Sequence, residues 1–150
     1  MMFRMKFKSE KVANGALALM PQEAVIVLRE AVRLSPQSAL AYATLGQAFR
    51  LLGKFQEALV ALQEALRLSP EDPVAHNYLG MTYESLQRKQ EALAAYKEAI
   101  DFKSDYAEAH YNLALLYHTL GDRGQAQHHY NILRTITPDL ADDLLKKMGQ

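Results

Sequence analysis

A pattern that recurs every 34 residues constrains this chain more than any other feature. Residues 42–70, YATLGQAFRLLGKFQEALVALQEALRLSP, fall on residues 76–104 and then 110–138 when shifted forward, and their second half falls on residues 21–36 when shifted back. A fixed period of this length means one helix pair stacked on copies of itself, because a single copy leaves its apolar face uncovered. Within a copy, apolar residues recur at steps of three and four, as at Ala24, Val25, Leu28, Ala31 and Val32, which marks one face of a helix.

Proline and glycine set the boundaries. Helices are expected over residues 21–34, 39–52, 55–68, 73–86, 89–102, 107–120 and 124–136, with Gly53 and Gly121 in hairpin turns, Asp72 as an N-cap, and Pro36 and Pro70 at second-helix ends. After Pro138, Leu140, Leu144, Leu145 and Met148 form one apolar stripe, with Asp139, Asp142 and Asp143 early and Lys146 and Lys147 late, as the helix dipole favours. The expected organisation is a single domain over residues 1–150: a degenerate first repeat (1–38, with a helix at 9–19), full repeats at 39–72, 73–106 and 107–138, and a capping helix at 139–150. Small residues stay in register at Gly46, Gly80 and Ala114 and at Ala24, Ala58, Ala92 and Ala126, with Leu62, Tyr96 and Tyr130 between them. That alternation of small and large is what close-packed helices require. Where earlier copies have Leu59, Leu93, Leu66 and Ile100, the last has Gln127 and Arg134, so no full repeat is expected beyond it.

Charge and composition narrow the function classes. Seventeen basic residues balance 17 acidic ones, which disfavours a dedicated nucleic-acid binder, whose affinity needs a basic surface. With no cysteine, thiolate metal sites and cysteine nucleophiles are excluded. No apolar run approaches the ~20 residues of a membrane span. Arg4, Lys6, Lys8 and Lys11 before a short apolar stretch faintly resemble a signal peptide, but Asn14 and Gly15 interrupt it, and the expected location is the cytoplasm. No phosphate-binding glycine loop, nucleophile elbow or paired-histidine zinc motif is present, so neither an enzyme nor a cofactor is expected.

The repeated residues resemble the tetratricopeptide repeat. The fullest copy is Tyr42, Leu45, Gly46, Phe49, Ala58, Leu62, Ala65 and Pro70; the next is His76, Leu79, Gly80, Tyr83, Ala92, Tyr96 and Ala99, with Ser104 for the proline; the third is His110, Leu113, Ala114, Tyr117, Ala126, Tyr130 and Pro138, with Leu133 for an alanine. The resemblance covers residues 21–138 and implies an all-α fold, a right-handed α-solenoid of antiparallel helix hairpins with a C-terminal capping helix. It also implies a protein-interaction module, a scaffold or adaptor whose first helices line a concave groove. The columns so implied hold Leu40, Ala43, Thr44, Gln47 and Arg50, then Val74, Asn77, Tyr78, Met81 and Glu84, then Glu108, Tyr111, Asn112, Leu115 and His118.

One branch of the family grips acidic chaperone tails with lysine, asparagine and arginine. Here those places hold Ala43, Gln47, Tyr78, Glu108 and Asn112, so that clamp is absent and Glu108 would repel such a tail. The expected ligand is a peptide or helix with apolar anchors, contacted by Tyr78, Met81, Tyr111 and Leu115 and bonded along its backbone by Asn77 and Asn112. For Tyr111, packing on a neighbouring repeat fits as well as ligand contact; for Tyr78, packing is favoured. His76 and His110, one period apart, make a two-histidine metal site conceivable, but no carboxylate is poised as a third ligand, so both are read as packing residues and no metal is expected. Two rival functions are self-association through the apolar girth of residues 21–34 (Val25, Ile26, Val27, Val32), giving a homo-oligomer, and membrane-surface attachment through residues 1–11.

Overall fold

The computed structural model describes residues 20–149, so the expected helix at 9–19 and the basic N-terminal stretch lie outside the described residues. Among the described residues every regular element is an α-helix: α1 Pro21–Leu34, α2 Ala39–Leu51, α3 Phe55–Leu68, α4 Pro73–Ser85, α5 Lys89–Phe102, α6 Ala107–Thr119, α7 Arg123–Ile136 and α8 Pro138–Lys147. None of these is long and apolar enough to cross a membrane. From α1 to α7, each boundary lies within a residue of where the glycine and proline pattern places it.

The turn inside each hairpin is built the same way three times. Gly53, Gln87 and Gly121 adopt the left-handed conformation with φ of 73°, 60° and 82°. Their N–H groups donate to Arg50, Glu84 and His118, and the next residues, Lys54, Arg88 and Asp122, donate to Phe49, Tyr83 and Tyr117 at 2.8–2.9 Å. This pair of bonds satisfies carbonyls that the helix end leaves open. Gln87 does so at a position that favours glycine. Between hairpins, Ser38 receives the N–H of Ala41 on its Oγ at 3.2 Å, capping α2.

By contacts the described residues form two compact units, one ending at Tyr78 and the other beginning at Leu79. In the first, α1 packs on α2 and α2 on α3, around Ala24, Leu28, Ala31, Leu45, Phe49 and Ala58. In the second, α5 packs on α6, α6 on α7, and α8 on both α7 and α6, around Tyr96, Leu113, Leu116, Leu133 and Leu144. The small columns are needed at contact distance: a Cβ on Gly46 would lie 2.6 Å from Leu62 Cγ, and one on Gly80 would lie 2.5 Å from Tyr96 Cε1. Gln127 and Arg134 are exposed, and Ala141, Leu144 and Met148 of the α8 segment are buried. Apolar surface removed from water stabilises by about 25 cal/mol per Å², so this small stripe is what holds the last helix on.

The apolar girth of α1 is not left bare. Val25 is buried and Val27 and Val32 are partly buried against the unit's core, so Ile26, at 71 % exposure, is the one of the four that stands out. Of the surface named for self-association, Ile26 is open and Val27 and Val32 are partly open.

Candidate functional site

The residues implied for ligand contact divide by what they touch. On α2, Arg50 Nε donates to Gln47 Oε1 at 2.9 Å, and both are partly buried. Ala43 and Thr44, expected at the surface, are buried, and Thr44 returns its hydroxyl to the Leu40 carbonyl at 2.8 Å. Asn77 is 3 % exposed, which corrects the expectation that it stands in the open; Tyr78 is partly buried. The 3.6-residue period turns these side chains a few tens of degrees away from the packed columns, and in a tight stack that angle does not suffice to expose them.

In the second unit, Met81, Tyr111 and Leu115 lie partly buried against the core cluster. Glu84 accepts the Tyr96 hydroxyl at 2.6 Å, which ties its carboxylate to the second helix of its own hairpin. Tyr111 donates its hydroxyl to Asp143 Oδ2 at 2.6 Å, and the Lys147 ammonium lies 5.3 Å from its ring centroid. Burial, with the bond to Asp143 second, raises the phenol above its ordinary pKa. Tyr111 thus braces α8 while part of its surface stays in solvent. Asn112 is partly buried and Glu108 is exposed in the first turn of α6. His118 lines a cavity of about 370 Å³ with Arg123, Gly124, Ala126, Gln127 and Met148, at the turn end of its hairpin.

The histidines repeat one device. His76 Nε2 meets the Pro70 carbonyl at 2.8 Å and His110 Nε2 meets that of Ser104 at 2.9 Å, each stapling the loop before its helix. A carbonyl only accepts, so each Nε2 carries the proton. That leaves His110 Nδ1 as an acceptor for His129 Nδ1–H, 3.0 Å away. The His129 ring stacks on Tyr117 with centroids 5.8 Å apart and 4° between planes. Burial, followed by the His110 ring and then by His128 and Lys97, lowers the His129 pKa from 6.5 to about 4. Among the described residues no group of three histidine or acidic side chains is placed to hold a metal ion. The His110–His129 bond escaped the sequence reading. Its signal was available, for His129 occupies a column that holds Ala61 and Ala95 in earlier copies.

A second feature absent from that reading is an apolar cavity of about 510 Å³ on the first unit, lined by Tyr42, Leu45 and Phe49 of α2 and by Gln56, Glu57, Val60, Ala61 and Glu64 of α3.

With this geometry in hand, comparison with known proteins is informative. No curated protein matches the chain. Among solved structures, a thermophilic TPR protein of Thermus thermophilus, TTC0263, superposes with a TM-score of 0.82 at 21 % identity, covering 96 % of this chain and 83 % of that one. A MamA protein gives 0.73 at 27 % identity over 91 % of this chain and 75 % of that one. YrrB, described as a TPR protein with an unusual peptide-binding site, gives 0.70 at 26 % identity over 85 % and 66 %. The family model described as TPR repeat matches residues 46–87 and 85–121, just over half of the chain. With helices of the matching length, turn and packing, the chain belongs to the tetratricopeptide-repeat family.

Proposed function

We propose that this chain is a non-enzymatic adaptor that holds a peptide or helix with apolar anchors from a partner protein against its first helices. The observation that carries this reading is the strip formed by Met81, Tyr111 and Leu115: these side chains touch the core of the second unit yet keep part of their surface in solvent. Asn112 and the exposed Glu108 lie on the same helix, and supply polar contacts and a charge that disfavours acidic ligands. Glu84 and His118 belong to the proposed set on the second unit, and Gln47, Arg50 and Tyr78 on the first; Asn77, being buried, contributes by fixing the helix rather than by touching the ligand. YrrB, similar in fold and carrying a peptide-binding site, supports a peptide as the ligand class.

Peptides selected by display against the chain should be rich in apolar anchors. Leu115→Ala with Asn112→Ala should weaken them about tenfold or more, as truncation of a central anchor does, with helical circular dichroism retained. Tyr111 is left intact in this variant because it holds α8. Undiminished binding by the double variant would remove the reading.

A further inference from the structure

Two carboxylates frame the apolar cavity between α2 and α3. Glu57 and Glu64 line it with Val60 and Ala61 between them on α3, while Tyr42, Leu45 and Phe49 of α2 form the facing wall. Seven residues separate the two glutamates, which places them about 10 Å apart along the helix and about 20° apart around it. The strip therefore reads acid, apolar, acid along one helical face. Val60 is 68 % exposed, and Glu57 makes no ion pair or side-chain hydrogen bond among the described residues. Glu64 is held by Arg67 at 2.6 Å in an exposed pair, which a competing base can share. The Arg29 guanidinium lies 5.6 Å from the Phe49 ring centroid, but no base is among the lining residues. In the second unit the same columns differ. On α5 they hold Glu91 and Glu98 with Ala94 in place of the valine, and Arg88 holds Glu91; on α7 they hold Gln125 and Ile132.

Spacing selects the backbone of the occupant. Two bases facing Glu57 and Glu64 must lie about 10 Å apart, with an apolar side chain between them on the same side. In an extended run, residues on one face recur at about 6.8 Å and about 13.5 Å, one too short and the other too long. A polyproline II helix returns to one face after three residues, about 9.3 Å on, and leaves nothing between. An α-helix meets both conditions, because residues i and i+7 share a face with i+3 and i+4 lying between them.

We propose that the α2–α3 cavity seats a basic amphipathic helix of another protein, its bases at i and i+7 meeting Glu57 and Glu64 and an apolar side chain at i+3 or i+4 entering between Phe49 and Val60. Charge complementarity and the two-turn spacing of the carboxylates carry this assignment. The cavity belongs to the first unit and the strip of Met81, Tyr111 and Leu115 to the second, so this is a second docking surface and stands or falls separately.

The chain has no tryptophan, so a tryptophan in a probe peptide reports without background of its own kind. The probe is a synthetic alanine-rich helical peptide with arginines seven residues apart and tryptophan midway; the control has the same composition with the arginines on opposite faces. The full chain should shift the emission of the probe to the blue in a saturable way and bind the control about tenfold more weakly. Val60→Asn changes an exposed side chain and should weaken the probe about tenfold with the far-ultraviolet spectrum unchanged. Glu57→Lys should do the same, added salt should weaken binding to the unaltered chain, and a probe with glutamate in place of one arginine should recover binding to Glu57→Lys. No saturable shift, equal binding of probe and control, or binding that Val60→Asn leaves unchanged overturns the proposal. Leu115→Ala with Asn112→Ala should leave probe binding intact; a loss there would put the probe on the first-helix strip and overturn this proposal while sparing that one. Self-association of the chain in light scattering that Val60→Asn abolishes would assign the cavity to a second copy and overturn it as well.

Discussion

Gly80 and Tyr96 show how a single missing carbon sets the approach of two helices. Tyr96 is fully buried and its hydroxyl is tied to Glu84, so its ring has little room to yield to a new Cβ at 2.5 Å. Gly80→Ala gains up to about 1 kcal/mol in helix propensity and loses about 1–3 kcal/mol to overpacking. A net loss of about 1 kcal/mol is expected, read as a lower urea midpoint with unchanged slope. In the third copy Ala114 stands in this column and Tyr130 opposite is only partly buried. His129 makes a prediction in pH. Its folded pKa of about 4 lies below the ordinary 6.5, so the unfolded chain binds the extra proton between those values. Stability owed to this group is whole above pH 6.5 and falls as the pH is lowered toward 4. His129→Ala, which restores the alanine of the earlier copies, should show a shallower loss of the urea midpoint across that window. Parallel loss in both proteins would show that the His110–His129 pair is not acid-sensitive. Gly80 was legible from the sequence because it repeats; His129 was marked by the break in its column, but its pairing with His110 was not legible, because the bond joins residues 19 apart on two different helices.

At the scale of the element, the hairpin turn is the part most fully dictated by local chemistry. Three copies use the same two backbone bonds, and two of them use glycine to reach positive φ. The middle copy puts Gln87 there at φ 60°, where a Cβ crowds the following carbonyl at a cost of roughly 1–2 kcal/mol. Gln87→Gly should raise the unfolding free energy by about 1 kcal/mol, measured by urea titration. An equal or lower midpoint would mean that unfolded-chain entropy outweighs the relief. Helix positions could be read to within a residue because proline and glycine act on neighbouring dihedrals alone. Side-chain exposure along a first helix could not. Ala43, Thr44 and Asn77 share the outward columns of the pattern, yet all three are buried, since exposure depends on what the adjoining elements cover. Tyr111 is the same case from the other side: its partners Asp143 and Lys147 lie on α8, which the pattern identified as a cap but could not aim.

Over the whole molecule, each compact unit has its own apolar cluster, around Leu28 and Phe49 in one and around Leu113 and Leu144 in the other. In repeat architectures stability is close to a sum of local contributions and nearest-neighbour interfaces. Leu144→Ala, at a fully buried site, should cost about 2–5 kcal/mol and lower amide-exchange protection in α6, α7 and α8 before it does so in α1 and α2. Loss of protection at the same rate throughout would show one cooperative unit instead. The 34-residue period by itself determined the helices, their order, their turns and the family, because repetition lets each copy corroborate the others and because backbone dihedrals are local. Only the tertiary structure decided which of the outward columns stay open, that His129 closes on His110, that Tyr111 bonds to Asp143 of α8, and that an apolar, carboxylate-lined cavity lies between α2 and α3. Those outcomes depend on how the surfaces of different helices meet, and the spacing of residues along one helix does not encode that meeting.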